Sequence, residues 1–160
     1  MNRIISIVTG LALSAGSLAA DMTQSCLDGV TVVNPAAGFT NNGDGSVTHK
    51  VTGLTWRQCA LGMTWSGSTC TGSAGWYDWE GALTAAEALS FAGKSDWRVP
   101  NINELRSLVE RSCTTPATNA ALFPLDYEQG FQFWSSTSSW SDPGQARYLK
   151  LDTGLEGLND

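Results

Sequence analysis

The chain has 160 residues and a net charge of −6, and only 15% of its residues are charged, whereas it contains 17 glycines and 7 tryptophans. The acidic balance disfavours nucleic acids and anionic membrane surfaces as partners, because both carry negative charge themselves. Few charges together with many glycines and tryptophans also disfavour a disordered tail or a helical bundle. They favour one loop-rich domain in which large aromatic side chains pin the loops.

Residues 1–20 have the layout of a secretory signal peptide. Arg3 supplies a positive charge, residues 4–13 are an apolar run, and small residues follow up to Ala20. The run is too short to cross a bilayer, so we predict cleavage between Ala19 and Asp21 and no membrane span. We therefore expect an exported protein that is periplasmic, surface-displayed or secreted, with an N-terminal segment at 21–38 and a domain at 39–160.

All four cysteines lie after the predicted cleavage site: Cys26, Cys59, Cys70 and Cys113. An even number in an exported chain predicts two disulfides, for which three pairings exist. Cys59 and Cys70 bracket a loop rich in glycine, serine and threonine, which favours Cys59–Cys70 and leaves Cys26–Cys113. No CxxC spacing is present and His49 is the chain's one histidine, so we expect neither a metal site nor a cofactor.

Short β-prone stretches alternate with turn residues between 38 and 60. Gly43-Asp44-Gly45 predicts a hairpin, because glycine tolerates positive φ, and Thr52-Gly53 predicts a second turn. An EF-hand calcium loop would need a carboxylate where Val51 stands, so we interpret the stretch as a turn.

Two helices are predicted next. The first covers 77–95, with Asp78 as its N-cap and Gly93 as its stop. The second begins at Asn101 and Glu104, which have capping-box spacing, and runs to about Ser112. An irregular connection then leads to a strand at 131–140, a strand at 146–151, a turn at Thr153-Gly154 and a further strand.

The stretches "GLTWRQC", "DWRVPNINEL" and "FWSSTSS", in this order, resemble the Lcl C-terminal domain family, named from a collagen-like bacterial adhesin. The resemblance runs from about Phe39 to the C-terminus and implies a compact α+β domain. "DWRVPNINEL" is also similar to a segment of the formylglycine-generating-enzyme and sulfatase-modifying group, which implies a C-type-lectin-like fold with two helices flanking a small, mostly antiparallel sheet. The family implies binding of sulfated glycans by an oligomer, and a last strand that would follow Asp160.

Trp97 and Arg98 admit two interpretations, a ligand clamp or a corner of the fold. We favour the corner, with Trp97 in the core and Arg98 paired to a carboxylate such as Glu104, because a partly buried guanidinium needs a fixed partner.

The stretch from Trp134 to Tyr148 holds the candidate ligand-binding residues. Exposed indoles beside hydroxyls suit a sugar, since aromatic faces stack on its C–H surfaces. A core position for Trp134 is the competing interpretation, and Trp140 is the ring that we expect to be exposed. The candidates are Trp134, Ser135, Ser136, Thr137, Trp140, Arg147 and Tyr148.

Enzyme chemistry has weak support in the sequence. Nucleophilic catalysis by serine would need a histidine, and the sequence has no G-x-S-x-G motif to accompany His49. Helix capping or ion pairing already explains the carboxylates that we considered for hydrolysis, which are Asp78, Glu80, Asp96, Glu104 and Asp126. We expect a non-enzymatic binding module for adhesion or glycan recognition. The alternatives are an assembly component that binds an envelope protein and, third, a carboxylate-based hydrolase.

Overall fold

The computed structural model describes residues 3–4, 8–9, 24–125 and 132–159. These residues include two α-helices, α1 (Trp79–Glu87) and α2 (Ile102–Arg106), and a 3-10 turn at Ala36–Gly38. The strands are β1 (Arg3–Ile4), β2 (Val8–Thr9), β3 (Ser25–Cys26), β4 (Phe39–Asn41), β5 (Ser46–His49), β6 (Thr55–Arg57), β7 (Thr64–Trp65), β8 (Cys70–Thr71), β9 (Trp97–Arg98), β10 (Cys113–Thr114), β11 (Gln132–Ser138), β12 (Ala146–Lys150) and β13 (Glu156–Asn159).

The described strands form two larger sheets and two short ribbons. One sheet has the order β4-β5-β6-β1-β9 and the other β13-β12-β11-β2, while β3 pairs with β10 and β7 with β8. Only the pairs that β1 forms with β6 and β9 are parallel among the described strands. The predicted class, α+β with two helices and mostly antiparallel sheets, is confirmed.

The meander β4-β5-β6 follows from its turn residues. Gly43 and Gly45 have φ values of 78° and 83°, which the left-handed region allows glycine at no steric cost. A Cβ atom on Gly45 would also lie 3.0 Å from the side chains of Phe91 and Trp65. The second turn closes when the Gly53 amide donates to the His49 carbonyl at 2.8 Å.

The buried side chains form two clusters. The larger one joins the two sheets: it contains Trp56 of β6, Phe133 of β11 and Leu149 of β12, together with Leu105 of α2. The second cluster lies beneath α1, where Ala82 and Ala86 pack with Trp97, Trp134 and Val99. Because alanine is small, α1 can approach β9 and β11 closely enough to cover two indoles.

The first helix is shorter than the sequence predicts: α1 ends at Glu87, and Gly93 is not its stop. Phe91 and Lys94 instead exchange backbone hydrogen bonds of 2.9 and 3.0 Å, across a turn in which Ala92 and Gly93 have positive φ. The Phe91 carbonyl accepts a bond from Trp97 Nε1 at 3.0 Å. These turn contacts replace the helical hydrogen bonds that the segment would otherwise form.

The second helix also ends early, at Arg106 and not near Ser112. The buried Glu110 carboxylate accepts hydrogen bonds from the backbone amides of Asn34 at 2.6 Å and Ser112 at 3.1 Å. These bonds satisfy a charge that burial would otherwise penalise. The chain therefore turns at Glu110 to wrap the carboxylate, which a continuous helix does not allow.

Both predicted disulfides, Cys26–Cys113 and Cys59–Cys70, are present, which confirms the pairing chosen from the sequence. Cys26 and Cys113 are direct partners in the β3–β10 ribbon, so the first bridge ties the N-terminal segment to the chain that follows α2. Within the described residues, no helix is long and apolar enough to cross a membrane.

Candidate functional site

The connection between β11 and β12 presents the most exposed aromatic ring of the described chain. Trp140 is 92% exposed. Residues 138–145, which we call the Trp140 loop, close when the Ser139 amide donates to the Gln145 carbonyl at 2.7 Å and the Gln145 amide donates to the Asp142 carbonyl at 3.0 Å. The loop therefore holds its own backbone in place while it presents the indole to solvent.

Short side chains inside the Trp140 loop add to this order. The Ser139 and Ser141 hydroxyls are 3.0 Å apart, and Asp142 Oδ1 accepts a hydrogen bond from the Gly144 amide at 3.0 Å. Ser139 is buried, whereas Ser138 and Ser141 are exposed. An exposed indole flanked by exposed hydroxyls on an ordered loop can stack on an apolar ligand face and hydrogen-bond to its polar rim.

Two of the candidate ligand-binding residues, Trp134 and Ser135, are fully buried. Trp134 Nε1 donates to the Tyr77 carbonyl at 2.9 Å, and the Ser135 carbonyl accepts from Trp79 Nε1 at the same distance. These two bonds join β11 to the start of α1. A ligand reaches neither residue unless the second core cluster opens.

Ser136 and Thr137 continue β11 beside the start of α2. The Ser136 amide donates to the Pro100 carbonyl at 2.7 Å, and its side chain is exposed. The Thr137 hydroxyl accepts a hydrogen bond from the Ile102 amide at 3.1 Å, so it satisfies a donor in the first turn of α2. Of this pair, only the Ser136 hydroxyl is directed to solvent for a ligand.

Arg147 and Tyr148 do not form a basic patch with free charge. The Arg147 guanidinium lies 3.7 Å from the Glu156 carboxylate, which also binds the Arg106 guanidinium, with 2.7 Å between Arg106 Nη2 and Glu156 Oε2. Tyr148 is half-buried against the second core cluster. The charge of Arg147 is therefore balanced locally, and sulfate groups gain little there.

The Trp97–Glu104 segment forms a corner between β9 and α2. Trp97 is buried, and the Arg98 guanidinium donates two hydrogen bonds to Glu104, at 2.8 and 2.6 Å. Glu104 also accepts from the Asn101 amide and completes the capping box of α2. Burial raises the pKa of Glu104, but the hydrogen bonds from Arg98 and Asn101 outweigh that effect and lower it below its ordinary value.

The carboxylates considered for hydrolysis lie in different settings. Asp78 Oδ1 caps α1 by accepting from the Gly81 amide at 2.8 Å, whereas Glu104 caps α2 and pairs with Arg98. Asp126 lies outside the described residues. Asp78 and Glu104 thus have structural partners on separate helices.

A surface pocket of about 310 Å³, which no sequence pattern indicated, lies where α2 approaches β13. Its charged lining includes Arg106, Arg111 and Glu156. Arg106 and Glu156 are 50 residues apart, and no local spacing indicates that they meet. Only the fold of β12 and β13 onto α2 brings them together.

The ordered loops, two disulfides and mixed helix and sheet structure define a small disulfide-linked α+β domain. Residues 45–160 match the family model of the Lcl C-terminal domain, and the chain belongs to that family. No curated protein and no solved structure matches the chain. The C-type-lectin-like fold expected from the "DWRVPNINEL" segment therefore stays a prediction.

Proposed function

We propose that this chain is an exported, non-enzymatic binding module of the bacterial cell envelope that recognises glycans through the Trp140 loop. The exposure of Trp140 carries the proposal. A tryptophan normally contributes large apolar area to a core or an interface, and leaving its ring in water forgoes that stabilisation. A ligand that covers the indole recovers it.

The family membership and the two disulfides are compatible with this role. The Lcl C-terminal domain is associated with an adhesin, and disulfides persist in oxidising compartments outside the cytoplasm. Both features support a binding module that functions outside the cytoplasm.

Charge favours a neutral glycan over a sulfated one. The chain carries a net charge of −6, and the nearest cation in sequence to the Trp140 loop, Arg147, already neighbours Glu156. Stacking on an indole needs only the C–H face of a pyranose, while Ser138 and Ser141 supply hydroxyls for its polar rim. Binding to such a ligand is expected to be insensitive to salt.

A glycan-array screen of the oxidised protein, with and without calcium and at two salt concentrations, tests the proposal. Trp140→Ala is expected to abolish retention. Val51→Ala is the matched control, because Val51 is 86% exposed on the turn between β5 and β6, in the other sheet. An equal loss of glycan retention in both variants, or no retention of the folded wild-type protein, overturns the proposal. Salt-sensitive retention on sulfated glycans would show that a basic patch binds the ligand instead.

A second candidate function is assembly with an envelope protein through β13. Among the described strands, β13 pairs only with β12 and forms the edge of its sheet. Leu158 lies in β13 and is 44% exposed, and Leu155, which immediately precedes the strand, is 65% exposed. An edge strand with exposed leucines can add a strand from another chain. Co-purification of an envelope protein with the wild-type chain tests this function. Loss of that protein in Leu158→Lys but not in Val51→Lys would favour it.

A further inference from the structure

The pocket between α2 and β13, which we call the α2–β13 pocket, has two arginines in its lining whose donors are used differently. Arg106 donates to the Glu156 carboxylate from Nε and Nη2, and to Asn103 Oδ1 from Nη1 at 2.7 Å. Arg111 is exposed and forms no hydrogen bond or ion pair with another described residue. Because a guanidinium carries five N–H donors and no acceptor, Arg111 can offer a planar pair of donors to an acceptor in the pocket.

The carboxylates of Glu110 and Glu156, which also line the pocket, accept hydrogen bonds from other groups. Glu110 is 2% exposed, and it accepts from the Asn34 amide and from the amide and hydroxyl of Ser112. Glu156 accepts from Arg106 Nη2 at 2.7 Å. Both carboxylates are therefore held by partners other than Arg111, and the donors of Arg111 stay available.

The charges of the lining suit a ligand with one negative charge. Arg106 and Arg111 stand against Glu110 and Glu156, within a chain of net charge −6. A monoanion gains the donors of Arg111. A second negative charge on the same ligand would face the two carboxylates, and among the lining residues that the structure describes no other guanidinium is unpaired to receive it. A phosphate monoester, which carries nearly two charges at neutral pH, therefore fits less well than a carboxylate.

The turn between β12 and β13 gives the pocket an apolar wall. Gly154 has a φ of 73°, and an ideal Cβ atom on it would lie 3.1 Å from Val109 Cγ1 and 3.5 Å from Ala117 Cβ. The glycine thus brings the backbone of the turn directly against these two side chains, and all three residues line the pocket. A volume of about 310 Å³ is at the small end of the range for ligand pockets. The pocket therefore suits a small ligand with an apolar body next to one charged group.

We propose that the α2–β13 pocket binds a small apolar monocarboxylate. Its carboxylate accepts two hydrogen bonds from the Arg111 guanidinium, and its body lies against Val109, Ala117 and Gly154. Arginine binds carboxylates in this two-bond geometry because its planar fork matches the spacing of the two carboxylate oxygens. The Trp140 loop precedes β12, whereas Gly154 follows it. The site is therefore separate from the one proposed for glycans, and either proposal can fail alone.

A titration of the oxidised, isotope-labelled protein with isovalerate at neutral pH tests the site, with the backbone amide shifts as the readout. The amides of Val109, Arg111 and Gly154 report on the pocket, and the Thr40 amide in β4 is the reference. Isovaleramide is the matched ligand control, because it keeps the shape but carries no charge. Glucuronate varies the body of the ligand, and methyl phosphate varies its charge. Arg111→Gln removes the fork, and Lys94→Gln is the matched control variant, because Lys94 is also an exposed cation but lies outside the pocket.

We expect isovalerate to shift the pocket amides saturably and isovaleramide to leave them unchanged. Arg111→Gln is expected to weaken isovalerate binding about tenfold or more, because it removes hydrogen bonds between two charged groups. Its Tm should equal that of the wild-type protein, since Arg111 has no hydrogen-bond or ion-pair partner among the described residues. Lys94→Gln should bind isovalerate as the wild-type protein does.

Equal shifts from isovalerate and isovaleramide, unchanged affinity in Arg111→Gln, or no saturable shift in the folded wild-type protein overturns the proposal. Tighter binding of glucuronate or of methyl phosphate than of isovalerate also overturns it, because the apolar wall or the single charge would then not select the ligand.

Discussion

Arg98 and Glu104 form a two-bond ion pair that fixes β9 against the first turn of α2. The Arg98 nitrogens lie 2.8 and 2.6 Å from the two Glu104 carboxylate oxygens. Glu104 simultaneously receives the Asn101 amide at 2.8 Å. One carboxylate thus accepts hydrogen bonds both from a guanidinium and from the N-cap amide of α2. The segment "WRVPNINEL" therefore has a structural role.

Replacing Glu104 by alanine is expected to destabilise the protein by about 1–2 kcal/mol, since it removes the capping box together with a partly exposed ion pair. Urea unfolding of the oxidised protein measures the change. Glu156→Ala is the control, because Glu156 is also paired with arginine but caps no helix. An equal or larger loss for Glu156→Ala would contradict the capping role.

The two tryptophans of the β11–β12 hairpin are expected to respond oppositely to truncation. Trp134 is 0% exposed and Trp140 is 92% exposed. Trp134→Ala should therefore cost about 3–5 kcal/mol, whereas Trp140→Ala should change the free energy of unfolding by less than about 0.5 kcal/mol. Thermal unfolding of both variants checks this, and a Trp140→Ala protein that unfolds as easily as Trp134→Ala would show that the indole is part of the core.

The two disulfides are expected to contribute unequally to stability. Cys26–Cys113 spans 87 residues of sequence, whereas Cys59–Cys70 spans 11. In the chain-entropy model, loss of the long bridge costs about 4–5 kcal/mol and loss of the short one about 3 kcal/mol or less. Urea unfolding of the two double alanine variants measures both costs, and the reverse order would mean that packing around Cys59 dominates.

The single histidine is expected to make stability depend on pH between about 5.5 and 7.5. His49 stacks on Phe39 with ring centroids 4.6 Å apart, and its Nδ1 lies 3.0 Å from the Thr52 hydroxyl. Burial lowers the pKa of His49 below its ordinary value of 6.5. The unfolded chain therefore binds the proton more readily, and the free energy of unfolding falls as the pH drops through 6.5.

His49→Gln should remove this dependence, because it replaces the titrating ring with a neutral amide. The pKa values of Glu104 and Glu110 are lowered below their ordinary value of 4.5, since hydrogen bonds to each carboxylate outweigh its desolvation, so their titrations fall at lower pH. Urea unfolding at about pH 5.5 and about pH 7.5 measures the slope. A wild-type slope that persists in His49→Gln would assign the dependence to another group.

Local signals predicted the parts of the fold that local chemistry determines. The glycines at 43 and 45 correctly placed the first hairpin, and Asp78 and Asn101 correctly placed the starts of both helices. The disulfide pairing followed from loop composition. In each case the residues that decide the structure are neighbours in sequence, so their pattern is visible without the fold.

Tertiary contacts determined what the sequence could not show. The second helix ends early because a distant amide, that of Asn34, binds the Glu110 carboxylate, 76 residues away. After the first helix, the Phe91 carbonyl instead binds Trp97 Nε1, in a turn that the sequence pattern did not indicate. For the candidate site, exposure of Trp140 agrees with its position before Ser-Asp-Pro-Gly. The buried Ser135 binds Trp79, which is 56 residues away, and no periodicity shows that contact.

The affinity of wild-type and Trp140→Ala protein for one glycan retained on the array tests the central claim most directly. We predict that Trp140→Ala weakens binding about tenfold or more, which corresponds to about 1.4 kcal/mol, and that Trp140→Phe retains part of it because a smaller ring still stacks. Unchanged affinity in Trp140→Ala, with the folded state intact by thermal unfolding, would contradict recognition through the Trp140 loop.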